Sequence, residues 1–228
     1  MFSVSQLTGE NLSEKTLCLT FDDGPGVSKK GEKGPKTIEI ANYLADQKIF
    51  ATFFMVGKHI IRYPHIVQQV SKLGHLIGNH SCFHSEDFNT LFLKGWDISA
   101  EILLTDSLIR VYAMNDKIFF RAPWGIWSEP VANKLNNDTN SEKYIGPFYW
   151  DINADDWKCW QDGLSAEACA SYYLDKINVV NHGIVLMHDS SADNPHARNQ
   201  NMTFETIEIL IPKLKNLGYT FIRLDEFY

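Results

Sequence analysis

No stretch of this chain approaches the ~20 consecutive apolar residues that span a bilayer. The N-terminus, Met1-Phe2-Ser3-Val4-Ser5-Gln6, has neither a basic region nor a long apolar core, so no signal peptide is visible. The expectation is a cytoplasmic protein if the chain is complete and an extracytoplasmic one if a leader has been removed. Basic excess is also missing. The net charge is −7, which argues against nucleic acid or an anionic membrane as the main partner. Cysteines are few: Cys18, Cys82, Cys159 and Cys169 are irregularly spaced and form no CxxC pair, which argues against a cysteine-based zinc site. Free thiols are expected, with Cys159 and Cys169 near enough in sequence to bridge locally. No repeat, low-complexity tract or linker divides the 228 residues, so one domain covering 1–228 is expected, as a monomer.

What is present is an ordinary globular composition, 44% hydrophobic and 21% charged, with six tryptophans that can fill a core or line a sugar groove. Strand-like and helix-like stretches alternate. Strands are expected at Leu17–Phe21, Ala51–Val56, His75–Gly78, Ile118–Phe120, Tyr144–Ile152, Gly183–Met187 and Tyr219–Leu224. Helical periodicity marks Lys36–Lys48, Pro64–Leu73, Trp96–Val111, Glu129–Leu135, Ala166–Asn178 and Thr203–Leu217, the last bent or interrupted at Pro212. Val27–Pro35 reads as a solvated loop whose lysines can also attract an anion. Repeated β-then-α units imply an α/β fold with a parallel sheet and right-handed crossovers. Polar clusters follow five of the strands, which favours a closed or nearly closed βα barrel over an open sheet.

The first cluster is Thr20-Phe21-Asp22-Asp23-Gly24-Pro25. Neighbouring side chains on a strand face opposite ways, but the Gly-Pro turn can break that alternation and bring both acids to one cavity. Two carboxylates so close need a cation. His80 and His84 are four apart, a spacing that places two imidazoles on one face of a helical turn. Two histidines with one carboxylate form a recurring catalytic-metal set, and Asp22 or Asp23 can complete it. Arg121 follows another strand, in Arg-Ala-Pro-Trp-Gly, and suits whichever aspartate does not bind metal. His188 closes the strand Gly183–Met187 and can act as a general acid. Trp124, Trp157 and Leu186 can wall the pocket.

Taken together, Thr20–Pro25, His80–His84, Arg121–Gly125, Asn153–Trp157 and Leu186–His188 resemble the ordered motifs of the polysaccharide deacetylases, the NodB-type carbohydrate esterases. The resemblance runs from about Leu17 to the C-terminus. It implies a distorted βα barrel, usually of seven parallel strands. It also implies removal of N- or O-acetyl groups from sugars such as chitin, chitin oligosaccharides and peptidoglycan, using zinc or another divalent metal; the two-nitrogen, one-oxygen donor set also admits cobalt, nickel or manganese. By the same resemblance Asp22 is the general base, Asp23, His80 and His84 hold the metal, and Arg121 positions Asp22. The Trp124 backbone N–H binds the oxyanion, His188 is the general acid, and Leu186 and Trp157 shape the slot for the acetyl methyl. One departure stands out. Asn153 occupies a position where the family often has an acid that helps hold the arginine, and Asp151, two residues earlier on the same strand face, is expected to compensate. The rival readings are an amidohydrolase of small non-sugar amides and a carbohydrate-binding domain without catalysis.

Overall fold

The computed structural model describes residues 1–113, 116–139 and 141–228. Its eight strands are β1 (Thr16–Asp22), β2 (Thr52–Met55), β3 (Leu76–Asn79), β4 (Ile118–Phe119), β5 (Tyr144–Ile145), β6 (Ile152–Asn153), β7 (Gly183–His188) and β8 (Thr220–Phe221). Every pairing between them is parallel. The main sheet runs β6-β7-β1-β2-β3, and a bridge from Asn79 to Phe120 carries the wall on to β4 and β5. The result is the distorted βα barrel.

Period-two alternation decides what each strand shows to the lumen. On β1, Leu17, Leu19 and Phe21 pack outward with the helices, whereas Cys18 joins Phe54, Leu76, Phe119, Phe148 and Ile184 inside the barrel. Thr20 and Asp22 share the parity of Cys18, so the face that fills the lumen lower down carries polar groups at its upper end. The same parity on β7 sets Ile184, Leu186 and His188 along the lumen and Val185 and Met187 among the helices.

The expected strand Tyr144–Ile152 is instead two short ones, β5 and β6. Pro147 has no N–H to give a ladder, which ends regular pairing between them. Here the N-terminal segment closes the wall as a strap: Ser3 N donates to Gly146 O (2.8 Å), Leu7 N to Pro147 O (2.8 Å), and Tyr149 N to Leu7 O (2.8 Å). β8 pairs only with Thr16 and Leu17, on the edge of β1 that β2 takes higher up.

Two further expectations change. The helix Thr203–Asn216 runs unbroken through Pro212. Pro212 removes one helical hydrogen bond, but buried Ile207, Leu210, Ile211 and Leu214 hold both halves against the core. The segment Ser190–Met202, expected as a loop, contains a short helix, Pro195–Asn199, capped by the Asn194 side chain.

Candidate active site

Asp22 ends β1 on the lumen face. Asp23 then adopts a left-handed backbone, φ 76°, so its side chain does not swing to the opposite face. That conformation costs a non-glycine residue about 1–2 kcal/mol, and the surroundings hold it. The Asp23 carbonyl accepts from His59 Nδ1 (2.7 Å), and its Oδ2 accepts from Ala192 N (3.0 Å). A Cβ at Gly24 would lie 2.1 Å from Asp189 Oδ2, so only glycine fits beneath the pair. Both aspartates therefore line one cavity of about 270 Å³, together with His80, His84, Trp124, Trp157, Leu186 and His188.

His80 and His84 do not sit on a helical turn. They lie in a loop after β3 in which Ser81 (φ 64°) and His84 (φ 49°) are both left-handed. Ser81 N donates to Asn79 Oδ1, while Cys82 N and Phe83 N both donate to Glu101 Oε2. The loop brings the two rings to 4.8 Å, centroid to centroid. Asp23 Oδ1 is 3.7 Å from His80 Nε2 and 3.5 Å from His84 Nε2.

This donor set suits a divalent cation. Asp23 Oδ1 is buried and has no hydrogen-bond partner among the described residues. His80 Nδ1 lies 2.9 Å from the Arg121 carbonyl, so it carries the proton and leaves the Nε2 lone pair free. Burial lowers the His80 pKa to about 4, which keeps the ring neutral. Burial alone would raise the Asp23 pKa; the imidazoles of His84 and His188 and the Ala192 N–H outweigh it and lower it, so the carboxylate is held ionised. Asp23, His80 and His84 can together hold a metal ion.

Arg121 is fully buried. Its Nη1 donates to Asp22 Oδ1 (2.8 Å) and Thr20 Oγ1 (2.7 Å), and Nη2 to the Tyr149 carbonyl (3.1 Å). The guanidinium also lies 4.4 Å from the Phe54 ring centroid. Burial lowers the Arg121 pKa and the Asp22 carboxylate opposes that shift.

Neither Asn153 nor Asp151 braces this arginine by a hydrogen bond among the described residues. Asn153 is closed on itself in a turn: its Nδ2 donates to Asp155 Oδ1 and its Oδ1 accepts from Asp155 N, each at 2.8 Å. Asp151 Oδ2 accepts from Gly9 N and Ile184 N, each at 2.7 Å, which ties the strap to β7. Asp151 reaches Arg121 only through its longer-range charge.

The residue that sequence reasoning passed over is Asp156. Its Oδ1 lies 2.7 Å from His188 Nδ1, and its Oδ2 accepts from His188 N at 2.7 Å. Burial opposes charge on His188, but Asp156 outweighs it, raising the imidazole pKa to about 10. The available signal was the acid directly before Trp157 in Asn153–Trp157. Trp124 is also left-handed (φ 63°), with its ring 5.6 Å from that of His84. At 53% and 39% exposure, Trp124 and Trp157 form the rim, whereas Leu186 is buried in the wall. Trp150, not anticipated, also lines the cavity and packs where a Cβ on Gly125 would sit.

The sequence pattern of the family described as polysaccharide deacetylase matches residues 9–140, more than half of the chain. The chain belongs to the polysaccharide deacetylase family. This deacetylase is 29% identical over 224 residues to the peptidoglycan-N-acetylmuramic acid deacetylase PdaA of Bacillus subtilis (strain 168), covering 95% of this chain and 72% of that protein. It is 27% identical over 209 residues to the chitooligosaccharide deacetylase of Sinorhizobium fredii, covering 90% and 87% of the two. Among solved structures, a family 4 acetyl xylan esterase from Clostridium thermocellum, in complex with a cobalt ion, superposes with a TM-score of 0.65 at 28% identity, covering 92% of this chain and 89% of that one. The deacetylase is accordingly a hydrolase of acetylated sugars. Among the described residues, no helix is long and apolar enough to cross a membrane.

Proposed function

We propose that this deacetylase is a metal-dependent hydrolase that removes N-acetyl groups from N-acetylglucosamine-containing glycans, such as chitin oligosaccharides or peptidoglycan. The observation that carries the reading is the meeting of Asp22, Asp23, His80, His84 and His188 in one cavity, with Arg121 bonded to Asp22 behind it. Asp23, His80 and His84 would hold the cation. Their two-nitrogen, one-oxygen donor set suits zinc first, with cobalt, nickel and manganese as substitutes. Such an ion supplies Lewis acidity for the amide carbonyl and for an attacking water.

The chain's own groups do the rest. Asp22, oriented by Arg121, takes the proton of the attacking water. The Trp124 N–H donates to the oxygen of the tetrahedral intermediate; such donors are worth about 3–4 kcal/mol in comparable sites. His188, kept protonated by Asp156, passes its proton to the departing sugar amine. Leu186 and Trp157 enclose the acetyl methyl and exclude water from it. The test is acetate release from chitin pentaose by zinc-loaded and chelated protein. Release is expected only from the loaded form. Activity that survives chelation, or sugar binding with no turnover of any acetylated glycan, would sink the reading.

A further inference from the structure

A second cavity, of about 700 Å³, adjoins the catalytic one and shares Ser190 with it. Its walls come from the loop after Pro25, the end of the helix Gly57–Arg62 and the helix Pro195–Asn199. The loop is pinned in place. Val27 bridges Lys36, Gly34 N donates to Asn201 O (3.0 Å), and a Cβ on Gly26 would lie 2.8 Å from Ser190 Oγ. Backbone therefore lies directly on the serine that separates the two spaces.

The charge of this second cavity contradicts that of the chain. Lys29, Lys33, Arg62 and Arg198 line it against the single acid Glu32, in a protein of net charge −7. No ion pair engages Lys33, Arg62 or Arg198 among the described residues, and the Lys29–Glu32 pair is exposed and 4.0 Å long. Ser28 and Ser190 add two lining hydroxyls that are buried and lack a hydrogen-bond partner among the described residues. Unpaired cations beside unsatisfied hydroxyls are the chemistry that binds an oxyanion. Ser190 lines both this cavity and the catalytic one, so an anion held here would lie next to the acetyl group's site.

We infer that this cavity is an anionic subsite. It takes a carboxylate or phosphate substituent of the glycan being deacetylated and makes the enzyme prefer acidic acetylated glycans to neutral ones. The inference rests on the glycan-deacetylase reading above. Its test compares three tetrasaccharides by mass spectrometry of the deacetylated products: chitin tetraose, an alternating glycan bearing lactyl carboxylates, and a 6-O-phosphorylated chitin tetraose. Wild-type kcat/KM is expected to be higher for at least one acidic glycan than for the neutral one. The double variant Arg62→Gln/Arg198→Gln should lower that ratio about tenfold, mainly through KM, since one exposed ion pair contributes up to about fivefold. The acidic glycan that loses most identifies the anion as carboxylate or phosphate. No wild-type preference, or equal losses on acidic and neutral substrates, would overturn the subsite. If no glycan is turned over, the deacetylase reading fails by itself. Calorimetric binding of the same three glycans to wild type and variant then decides the subsite by the same ratio.

Discussion

Asp156 grips His188 at two points, with one carboxylate oxygen 2.7 Å from the ring Nδ1 and the other accepting the His188 backbone N–H. The pair sets both the orientation of the imidazole and its charge. Because the folded pKa is raised above the ordinary value to about 10, the pair stabilises the fold fully below pH 6.5, and that contribution is lost as pH rises through 10. Across neutral pH the ring therefore stays protonated, the state its proposed role as general acid requires.

Asp156→Asn is expected to return His188 toward the ordinary imidazole range near 6.5. The acid would then lose its proton at lower pH, and the alkaline limb of kcat/KM should move down by at least about one unit. A pH–rate profile, with NMR titration of the imidazole, measures both. An alkaline limb that stays in place would separate the limb from His188.

Asp22→Asn and His84→Ala should fail in different ways. The first removes the proposed base and leaves Asp23, His80 and His84 in place. Turnover should fall about 10²–10⁴-fold with zinc affinity nearly unchanged. The second removes a donor, so zinc affinity and turnover should fall together. Metal content after dialysis, read beside acetate release, distinguishes them. Equal loss of zinc in both variants would mean that Asp22 also holds the ion.

Arg121→Leu should destabilise the protein by about 3–5 kcal/mol, because it leaves the buried Asp22 carboxylate without its cation. In a chain of this size that corresponds to a Tm lower by roughly 10 °C. Calorimetry at neutral pH checks it. An unchanged Tm would show that water or a bound cation replaces the guanidinium at no cost.

Asn153→Asp tests the turn before the helix Asp156–Gln161. The Asn153 amide donates to Asp155 Oδ1, so an acid there would face a second carboxylate at 2.8 Å. Stability should fall by about 1 kcal/mol, with zinc affinity unchanged and the acidic limb of the rate profile unmoved. A shift of that limb would restore the idea that residue 153 acts on the Arg121–Asp22 pair.

The positions of most strands along the chain were legible because apolar runs such as Leu17–Phe21, Ala51–Val56 and Gly183–Met187 are a local signal. What escaped reading depended on single backbone angles or distant partners. His80 and His84 have the spacing of a helical turn, yet they meet through a loop with left-handed Ser81 and His84. Asp156 was hidden because Asn153, Asp155 and Asp156 offer similar polar groups within four residues. A left-handed Asp155 (φ 51°) decides which of them meets His188. Asp151 was expected near Arg121 from strand parity, but the N-terminal strap, some 140 residues away in sequence, claims its carboxylate.

That strap gives the first residues of the chain a hold on the chemistry. Leu7 bonds both Pro147 and Tyr149, and the Tyr149 carbonyl receives Arg121, which in turn holds Asp22. The seam cannot close until residue 149 has been made, so Arg121 gains its Tyr149 partner only after β1 to β5 have been synthesised. A fusion or trimming that disturbs residues 3–9 is therefore expected to register first as a misplaced Asp22, the proposed base, and only afterwards as a loss of fold.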